Sequence, residues 1–409
     1  MSSKCRFCQT PLSQTFVDLG MSPLANSYLK FESLSSAEKF YPLHTYVCSS
    51  CYLVQLEEFE SPTHIFGDYA YFSSFSDSWL KHCENYANKI VRELSLDQGS
   101  KVVEIASNDG YLLQYFQRQA IPVLGIEPAA NVAEVAREKG VNTRVCFFGK
   151  DEAQRVLANE SGADLLIANN VLAHVPDIND FVAGMKTILK PTGVITVEFP
   201  HLLNLINYNQ FDTIYHEHFS YLSLFTVEQI FDHHGLRIFD VDELRTHGGS
   251  LRIYACHHEN QHRLQEEKVI QVKQRELDKG LDKTATYNAF SEQVKETKRK
   301  ILDFAIKAKR KSKKIVAYGA PAKGNTLLNY CGIRSDFIDF TVDRSVYKQG
   351  LYLPGTHIPI LEPEKIREAK PDYLMILPWN LQEEIISQMS YIREWGGQFV
   401  IPIPQLEIK

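Results

Sequence analysis

Between residues 101 and 199, short hydrophobic runs alternate with longer stretches in which apolar residues recur at helical spacing. The hydrophobic runs predict buried strands at Lys101–Ala106, Val123–Glu127, Ala163–Ala168 and Gly193–Phe199. The intervening stretches predict helices at Tyr111–Gln119, Asn131–Lys139 and Ile178–Leu189. Continuous apolar strands separated by helices are typical of a parallel, doubly wound sheet. The pattern therefore predicts an α/β fold with a central Rossmann-like sheet.

Polar residues follow each of these strands, where sheets of this kind bind their ligands. Glu127 is placed to accept hydrogen bonds from ribose hydroxyls. The first turn has Gly110 but lacks the GxGxxG pattern that close approach of a pyrophosphate requires, which disfavours a dinucleotide. S-adenosylmethionine, which has no phosphate, suits this turn, and other nucleosides remain an alternative. The residues expected to bind the cofactor are Glu104, Ser107, Asn108, Gly110, Glu127, Pro128, Phe148, Asn169 and Asn170.

The alternating region ends in two further strands, predicted at Arg237–Val241 and Ser250–Cys256 with a turn at His247–Gly249. A helix at Thr226–His234, with Thr226 as its cap, precedes them. A strand pair at this position suits the antiparallel hairpin that closes methyltransferase sheets.

A second alternation begins at Lys314–Tyr318 and predicts a smaller Rossmann-like domain. Gly319–Asn325 forms a glycine-containing turn before a helix at Thr326–Tyr330, and strands are predicted at Phe337–Val342 and Tyr373–Leu377. Backbone amides at a helix start, with a lysine beside them, suit a phosphate, although an ordinary strand-to-helix turn has the same pattern. The residues expected to bind a substrate are Glu198, His201, Gly319, Lys323, Gly324 and Asn325.

Four of the eight cysteines form two CxxC pairs near the start of the chain, Cys5 with Cys8 and Cys48 with Cys51. Each pair suits half of a tetrahedral thiolate site, so the four predict a zinc ion with no open coordination position. Such an ion stabilises a fold and does not catalyse. Two redox pairs are the alternative, but no strand-and-helix context precedes them.

Composition narrows the class of protein. The 409 residues are 44% hydrophobic and 23% charged, with a net charge of −6, as in globular proteins of two or three domains. No run of about 18 apolar residues indicates a membrane span, and the first residues show no signal-peptide core. The acidic balance argues against a nucleic-acid face. A cytoplasmic protein with reduced cysteines is therefore expected.

The segment Tyr215–His218 contains candidate catalytic residues, because two imidazoles flank a carboxylate there. Such a cluster can move protons near neutral pH, although it is also compatible with two histidines that are merely structural. The aromatic, hydroxyl-rich stretch Tyr69–Ser76 predicts either a packed loop or a lid whose tyrosines reach a ligand.

In combination, these segments resemble the nucleotide-sugar C-methyltransferases, which methylate a ring carbon of an NDP-4-keto-6-deoxy sugar. The matching motifs span nearly the whole chain and are CRFC…CSSC, YAYFSS, EIASNDG, GIEPA, NNVLAHV, EFPHL, YHEHFSY, HGGSLR and YGAPAKGNTLLN. Ala106 is a departure, because this family usually has glycine there. The resemblance implies a structural zinc ion, bound S-adenosylmethionine and a nucleotide-sugar substrate. It also implies an active site built from Tyr71, His174, Tyr215, Glu217 and His218.

The implied reaction requires a carbon nucleophile, which forms when a base removes the proton next to a ketone. We expect His218 to be this base, with Glu217 fixing its tautomer and favouring the imidazolium. Tyr71, Tyr215 and His174 are candidates to stabilise the enolate oxygen. The alternatives are methylation of oxygen or nitrogen on a small metabolite, a non-catalytic nucleotide-sugar-binding protein, and an NAD-dependent epimerase or dehydratase, which the missing GxGxxG disfavours.

Four segments follow from these patterns. They are a zinc module with an aromatic lid at 1–75, a methyltransferase domain at 76–265, a helical bridge at 266–310 and a Rossmann-like nucleotide-sugar domain at 311–409. The expected partner is the nucleotide-sugar, with no nucleic acid and no membrane. A monomer is compatible with the sequence, which leaves the oligomeric state open.

Overall fold

The computed structural model describes residues 3–61, 63, 73–75 and 77–409 of the chain. The strands are β1 Gln14–Ser22, β2 Tyr41–Val47, β3 Val54–Leu56, β4 Val102–Ile105, β5 Val123–Ile126, β6 Thr143–Arg144, β7 Ala163–Asn169, β8 Leu189–Pro200, β9 Ser220–Tyr221, β10 Leu236–Leu244, β11 Ser250–His257, β12 Ile315–Tyr318, β13 Thr341–Val342, β14 Ile360–Leu361, β15 Tyr373–Ile376, β16 Gln398–Ile401 and β17 Glu407–Ile408.

The α-helices are α1 Asp77–Leu94, α2 Leu113–Gln117, α3 Ala130–Glu138, α4 Lys150–Asn159, α5 Ile178–Ile188, α6 Leu202–Asn207, α7 Leu224–His233, α8 Glu267–Lys279, α9 Thr284–Arg310, α10 Ala322–Cys331, α11 Lys365–Ala369 and α12 Gln382–Gln388. Single 3-10 turns lie at Phe31–Ser35, Ser73–Phe75, Leu172–His174, Phe211–Thr213, Thr246–Gly248, Trp379–Leu381 and Ser390–Trp395. Among the described helices, none is long and apolar enough to cross a membrane.

The chain divides into two compact units that exchange segments along the sequence. The first comprises Met1–Leu12, Cys48–His201 and Phe219–Asp282, and the second comprises Ser13–Val47, Leu202–His218 and Lys283–Lys409. The cysteine-rich N-terminus therefore belongs to the first unit, whereas the Tyr215–His218 cluster belongs to the second. The four-segment division expected from the sequence stays a prediction.

The first unit is built on a seven-stranded sheet in the order β10-β11-β8-β7-β4-β5-β6. Strands β4 to β8 pair in parallel, and β11 runs antiparallel to both β8 and β10, as the predicted closing hairpin requires. The central strands are buried along their whole length, which explains their continuous apolar sequence. The strand order reverses between β4 and β7, so a ligand-binding crevice is expected at their carboxyl ends. This confirms the predicted methyltransferase-type sheet.

The second unit contains a six-stranded sheet in the order β14-β13-β12-β15-β16-β17. All its pairs are parallel except β16 with β17. The order reverses again beside β12, whose end carries the Gly319–Asn325 turn. The second Rossmann-like fold expected from the sequence is therefore present. The charged bridge forms two helices, α8 and α9.

Two local predictions need correction. The helix expected to begin at Thr226 begins at Leu224, because the Ser223 side chain accepts the Thr226 backbone N–H and caps it. Helix α10 is longer than expected and begins at Ala322, inside the predicted turn. No side chain caps α10: its N-cap residue is Pro321, whose carbonyl accepts the Asn325 backbone N–H at 3.2 Å.

The first of the turns predicted to bind the cofactor has an unusual backbone. Ala106 has φ 57°, Asn108 has φ 48° and Gly110 has φ 75°, so alternate residues adopt the left-handed conformation. This conformation strains a residue with a Cβ and costs glycine little. A Cβ on Gly110 would also approach Val141 Cγ2 to 2.8 Å. The position where the family usually has glycine is therefore one where alanine is conformationally strained.

Replacing Ala106 by glycine should stabilise the protein. Relief of the left-handed strain at φ 57° should raise the free energy of unfolding by about 1 kcal/mol, measured by denaturant unfolding. Ala183 is a matched control because it lies inside helix α5, where glycine has no strain to relieve, and Ala183→Gly should destabilise by about 0.5–1 kcal/mol. Equal losses for both variants would contradict this account.

Candidate active site and metal centre

Four cysteine sulfurs converge in the first unit. The ligand atoms of Cys5, Cys8, Cys48 and Cys51 all lie within 4.8 Å of one another. Neighbouring Sγ atoms are 3.5 Å apart for Cys8–Cys48 and 3.6 Å apart for Cys5–Cys51 and Cys8–Cys51. A regular tetrahedron with Zn–S bonds of about 2.3 Å has sulfur–sulfur edges of about 3.8 Å. The four thiols therefore fit one tetrahedral zinc ion.

Polar groups around the sulfurs support the bound thiolates. The Gln55 side-chain amide donates to Cys5 Sγ at 3.2 Å, and the Ser50 backbone N–H donates to Cys48 Sγ at 3.4 Å. The Arg6 backbone N–H holds Gln55 in turn, at 2.9 Å from its Oε1. Hydrogen bonds of this kind, made to the ligand atoms of a metal site, orient the ligands and spread the negative charge of the thiolates. With four sulfur ligands the site has no open position, which is typical of structural zinc.

The turns after β4, β5 and β7 gather the residues predicted to bind the cofactor. Among the residues that the structure describes, buried oxygens of four side chains have no hydrogen-bond partner, namely Ser107 Oγ, Asp109 Oδ1, Asn169 Oδ1 and Asn170 Oδ1. A buried acceptor without a partner costs about 1–3 kcal/mol. A ligand with several N–H and O–H donors would recover this cost. The arrangement therefore fits the ammonium, adenine amino and ribose hydroxyl groups of S-adenosylmethionine.

Besides Asp109, the acidic residues Glu104 and Glu127 of this region are buried. Burial raises the pKa of Glu104, at the centre of β4, well above its ordinary value. Glu127 accepts the backbone N–H groups of Asn108 at 2.9 Å and Ala129 at 2.8 Å. It thus connects the first turn to the second, at the position where we expect ribose hydroxyls. Phe148 packs edge-on against Phe181, with ring centroids 5.5 Å apart, and Pro128 follows Glu127 on the second turn.

Sequence reasoning did not single out Ser73, Ser74 or Lys139 as parts of the cofactor turn. The Ser73 backbone N–H donates to Asn108 Oδ1 at 2.9 Å. The Ser74 hydroxyl donates to Asp109 Oδ2, and Lys139 Nζ lies 3.1 Å from the same carboxylate oxygen. The end of the aromatic stretch therefore contacts the turn. Tyr71 itself lies outside the described residues.

Glu198 and His201 both make internal contacts in the first unit. Glu198 is fully buried and accepts Arg252 Nη2 and Thr246 Oγ1, each at 2.7 Å. Burial alone would raise the pKa of Glu198, but hydrogen bonding from His82 and the charge of Arg252 lower it to about 2. A substrate would have to compete with these partners, so the substrate role of Glu198 stays a prediction.

His201 is equally enclosed. Its Nε2 lies 2.6 Å from Glu276 Oε1, and both side chains are buried. Glu276 also accepts the backbone N–H groups of Leu224 at 2.7 Å and Phe225 at 2.8 Å, at the start of α7. The pair therefore ties the end of β8 to two helices, and a role in substrate binding stays a prediction.

His174, the second predicted catalytic residue in chain order, ends a 3-10 turn that follows β7. The turn is fixed by the Phe219 backbone N–H, which donates to the Ala173 carbonyl at 2.7 Å. His174 therefore lies in the first unit, on the same edge of the sheet as Asn169 and Asn170.

In the second unit, Tyr215 and His218 lie face to face, with ring centroids 4.1 Å apart and an angle of 34° between the planes. His218 Nδ1 is 2.9 Å from the Thr213 carbonyl oxygen. Because a carbonyl only accepts, Nδ1 carries the hydrogen and the lone pair of the neutral ring is on Nε2. The tautomer expected to be fixed by Glu217 is therefore fixed by the backbone of Thr213.

Glu217 and His216 point into different surroundings. Glu217 is 6% exposed and accepts the Asn26 side-chain amide at 2.6 Å. Burial raises the pKa of Glu217 to about 7, and the Asn26 hydrogen bond opposes this rise. His216 Nε2 lies 3.2 Å from the Pro42 carbonyl, and burial lowers the pKa of His216 to about 4, so it is neutral at pH 7.

The Gly319–Asn325 turn also belongs to the second unit. Gly319 has φ 89°, and a Cβ there would approach Pro378 Cδ to 2.5 Å, so glycine is required. Lys323 Nζ lies 4.5 Å from the Trp379 ring centroid and donates to Asn380 Oδ1 at 2.8 Å. Asn325 is buried and donates to the Ala25 carbonyl at 2.6 Å.

A hydrogen bond at the end of this turn connects it to the segment that carries Tyr215, Glu217 and His218. The Thr326 hydroxyl donates to the Ile214 carbonyl at 2.9 Å, one residue before Tyr215. The indole of Trp379 also donates to Asp212 Oδ2 at 2.7 Å. The second unit thus brings Tyr215, Glu217 and His218 together with the predicted nucleotide turn, including Gly324.

Removal of one zinc ligand should empty the metal site. We expect the wild-type chain to bind about one zinc ion, and Cys8→Ser to lose it together with thermal stability, because three thiolates bind far more weakly than four. Metal analysis and thermal unfolding measure both effects. Cys146→Ser, outside the cluster, is the control, and an unchanged zinc content in Cys8→Ser would contradict the assignment.

The buried carboxyl of Glu217 should make stability depend on pH. Its pKa rises from 4.5 unfolded to about 7 folded, so the folded state holds the extra proton and loses stability as pH rises through this window. Glu217→Gln cannot ionise and should therefore be more stable than wild type at pH 8 by about 3 kcal/mol, but not at pH 4. Thermal unfolding at both pH values tests this, with the exposed Glu134→Gln as control. A pH-independent difference would contradict it.

Comparison with known proteins identifies the family. Three family models match consecutive parts of the chain: a putative zinc binding domain at residues 5–66, a methyltransferase domain at 79–241 and a C-methyltransferase C-terminal domain at 245–404. The C-methyltransferase NovU of Streptomyces niveus is 35% identical over 402 residues, which cover 98% of this chain and 96% of NovU.

Other similarities are confined to part of the chain. A ubiquinone biosynthesis O-methyltransferase of Rhodopseudomonas palustris is 25% identical over 24% of this chain and 39% of its own length. A crystal structure of an S-adenosylmethionine-dependent methyltransferase from Clostridium acetobutylicum covers 45% of this chain and 93% of that chain, at 11% identity and a TM-score of 0.35.

The match with NovU extends through all three domains, so it includes the zinc module and the C-terminal domain as well as the methyltransferase sheet. It excludes the non-catalytic and epimerase alternatives, and it favours carbon over oxygen or nitrogen as the methyl acceptor. The chain belongs to the S-adenosylmethionine-dependent C-methyltransferases that combine a zinc-binding domain, a methyltransferase domain and a C-methyltransferase C-terminal domain.

Proposed function

We propose that this C-methyltransferase methylates a ring carbon of an NDP-4-keto-6-deoxy sugar, at C-3, through an enolate. The support is the motif resemblance to the nucleotide-sugar C-methyltransferases, which spans nearly the whole chain. A ketone next to the acceptor carbon is a chemical requirement, because an unactivated sugar carbon is no nucleophile. The substrate must therefore carry its own carbonyl group.

S-adenosylmethionine, when bound, supplies an electrophilic methyl group on a sulfonium. The protein must supply a base for the substrate C–H proton and donors for the enolate oxygen. His218 is the proposed base, and the observation that carries this role is its 2.9 Å contact from Nδ1 to the Thr213 carbonyl. This contact leaves the lone pair on Nε2, and it stabilises the Nδ1–H of the imidazolium after proton transfer. General base catalysis of this kind contributes about 10²–10⁴-fold.

Glu217 assists through its charge. In its ionised form, the carboxylate next to His218 in the chain favours the imidazolium over the neutral ring. Its pKa of about 7 places the change of ionisation within the physiological range. Methyl transfer should therefore be faster above pH 7 than below it.

The enolate oxygen needs hydrogen-bond donors, for which the candidates are Tyr215, His174 and Tyr71. Tyr215 packs against the His218 ring at 4.1 Å between centroids, so its hydroxyl belongs to the same cluster as the base. A well-placed donor of this kind is worth about 3 kcal/mol in the transition state.

The nucleotide moiety is proposed to bind at the Gly319–Asn325 turn. Helix α10 begins within this turn, and its first backbone N–H groups favour phosphate oxygens. Lys323 adds a positive charge at the same place. Tyr215–His218 and this turn lie in one unit and are joined by the Thr326–Ile214 hydrogen bond, which supports a single substrate that contacts both.

The His218→Asn variant tests the mechanism. It retains a polar side chain but has no basic nitrogen, so kcat should fall by about 10²–10⁴-fold while S-adenosylmethionine affinity stays the same. Exchange of the substrate α-proton with deuterated solvent should be lost in parallel. Activity is measured by mass spectrometry of NDP-4-keto-6-deoxy sugars, as the gain of one methylene.

His258→Asn serves as the control, because His258 pairs with Asp232 on the surface. Full turnover and full α-exchange in His218→Asn would overturn the assignment of the base. Methylation of substrates that lack the ketone would overturn the enolate route.

A further inference from the structure

A loop near the N-terminus, residues 22–29, contacts the catalytic cluster. It follows β1 and lies within the segment that the sequence assigns to the zinc module. The structure groups it with the second unit, to which Tyr215, Glu217 and His218 also belong. No part of this loop figures among the predicted active-site residues.

Four hydrogen bonds hold the loop in a defined conformation. Asn325 Nδ2 donates to the Ala25 carbonyl at 2.6 Å, and the Tyr28 hydroxyl donates to the Ala320 carbonyl at 2.6 Å. Leu29 and Tyr352 exchange two backbone hydrogen bonds of 2.9 Å each. Because anchors lie on both sides of Asn26, its backbone position is fixed relative to the Gly319–Asn325 turn.

The side chain of Asn26 meets Glu217. Its Nδ2 donates to Glu217 Oε1 at 2.6 Å, a short, charge-assisted hydrogen bond when the carboxyl is ionised. Asn26 is exposed, whereas Glu217 is 6% exposed. A solvent-facing amide therefore holds one oxygen of a carboxyl group that is otherwise enclosed.

We propose that Asn26 is a positioning residue of the active centre, which orients the Glu217 carboxyl and favours its ionised form. The inference rests on the proposed function, in that Glu217 assists the His218 base. It adds one residue from a third region of the chain, Asn26, to those that support the active centre.

The electrostatic surroundings make Asn26 important for the charge of Glu217. Burial raises the pKa of Glu217 to about 7, and the Asn26 hydrogen bond lowers it. The Tyr28 hydroxyl interacts with the Glu217 charge and with those of Lys348 and Asp343. The neighbouring His216 is neutral at pH 7, because burial lowers its pKa to about 4, and His218 is the base itself. No cation among these groups replaces the amide as the donor to Glu217 Oε1.

The test is the pH dependence of kcat in the full-length enzyme with a 4-keto sugar nucleotide. In Asn26→Ala, loss of the donor should raise the pKa of Glu217. The acidic limb, which is the part of the pH profile where kcat falls as pH is lowered, should therefore move to a pH higher by about one unit. The maximal kcat should fall by about 10–100-fold, because the carboxyl is no longer held in place. S-adenosylmethionine affinity should not change.

Two comparisons separate this role from a general loss of structure. Asn26→Asp places a second carboxylate beside Glu217 and should move the limb further than Asn26→Ala does. Ser27→Ala, at an exposed position in the same loop, should leave both kcat and the limb unchanged. A uniform loss of kcat in Asn26→Ala without any shift of the limb would overturn the proposal.

The double variant Asn26→Ala/Glu217→Gln distinguishes the possible failures. If Asn26 acts through Glu217, Asn26→Ala should have no further effect on kcat in the Glu217→Gln background. Full activity of Glu217→Gln alone would overturn the role of Glu217 and, with it, that of Asn26. Loss of activity in Glu217→Gln with full activity in Asn26→Ala would overturn the role of Asn26 alone and leave the proposed function intact.

Discussion

In a parallel sheet the carboxyl ends of the strands lie along one edge, and buried polar atoms collect there. The need to satisfy these atoms is the physical constraint on which the rest of this structure depends. In the first unit, the turns after β4, β5 and β7 enclose oxygens of Ser107, Asp109, Asn169 and Asn170 that have no partner among the described residues. Such atoms need a bound ligand or an ordered water to satisfy them. Their concentration at the carboxyl ends of the strands therefore favours a polar ligand at this place.

Carboxyl groups illustrate how the surroundings of one residue type determine its role. Glu198 and Glu217 are both buried, but Glu198 faces Arg252 and His82, which lower its pKa to about 2. Glu217 has a neutral amide as its donor, and its pKa rises to about 7. The first is a fixed charge that connects strands, whereas the second can change charge at physiological pH, as expected near a reaction centre.

The sequence predicts the elements well where a single periodic signal decides, as in six of the seven strands of the first sheet, in β12 and β15, and in the two CxxC pairs. It misses the strands β6, β14, β16 and β17, and of the predicted strand Phe337–Val342 only Thr341–Val342 is found. It fails where a contact joins residues far apart in the chain. Nothing near Glu198 indicates that Arg252 pairs with it, and nothing near His201 indicates Glu276, because those partners come from later elements. Asn26 was missed for the same reason, since one asparagine in a loop has no pattern of its own. The tautomer of His218 depends on a backbone carbonyl, at Thr213, which no side-chain motif records.

The four-cysteine cage has a consequence through chain connectivity. Cys8 and Cys48 lie 40 positions apart, and their sulfurs are 3.5 Å from each other. The residues between them include nearly all of the N-terminal part of the second unit, with Asn26. Closing a loop of that length costs a flexible chain about 3 kcal/mol of entropy, which the bound ion offsets. Loss of the ion would therefore release the constraint on the chain segment that contains Asn26.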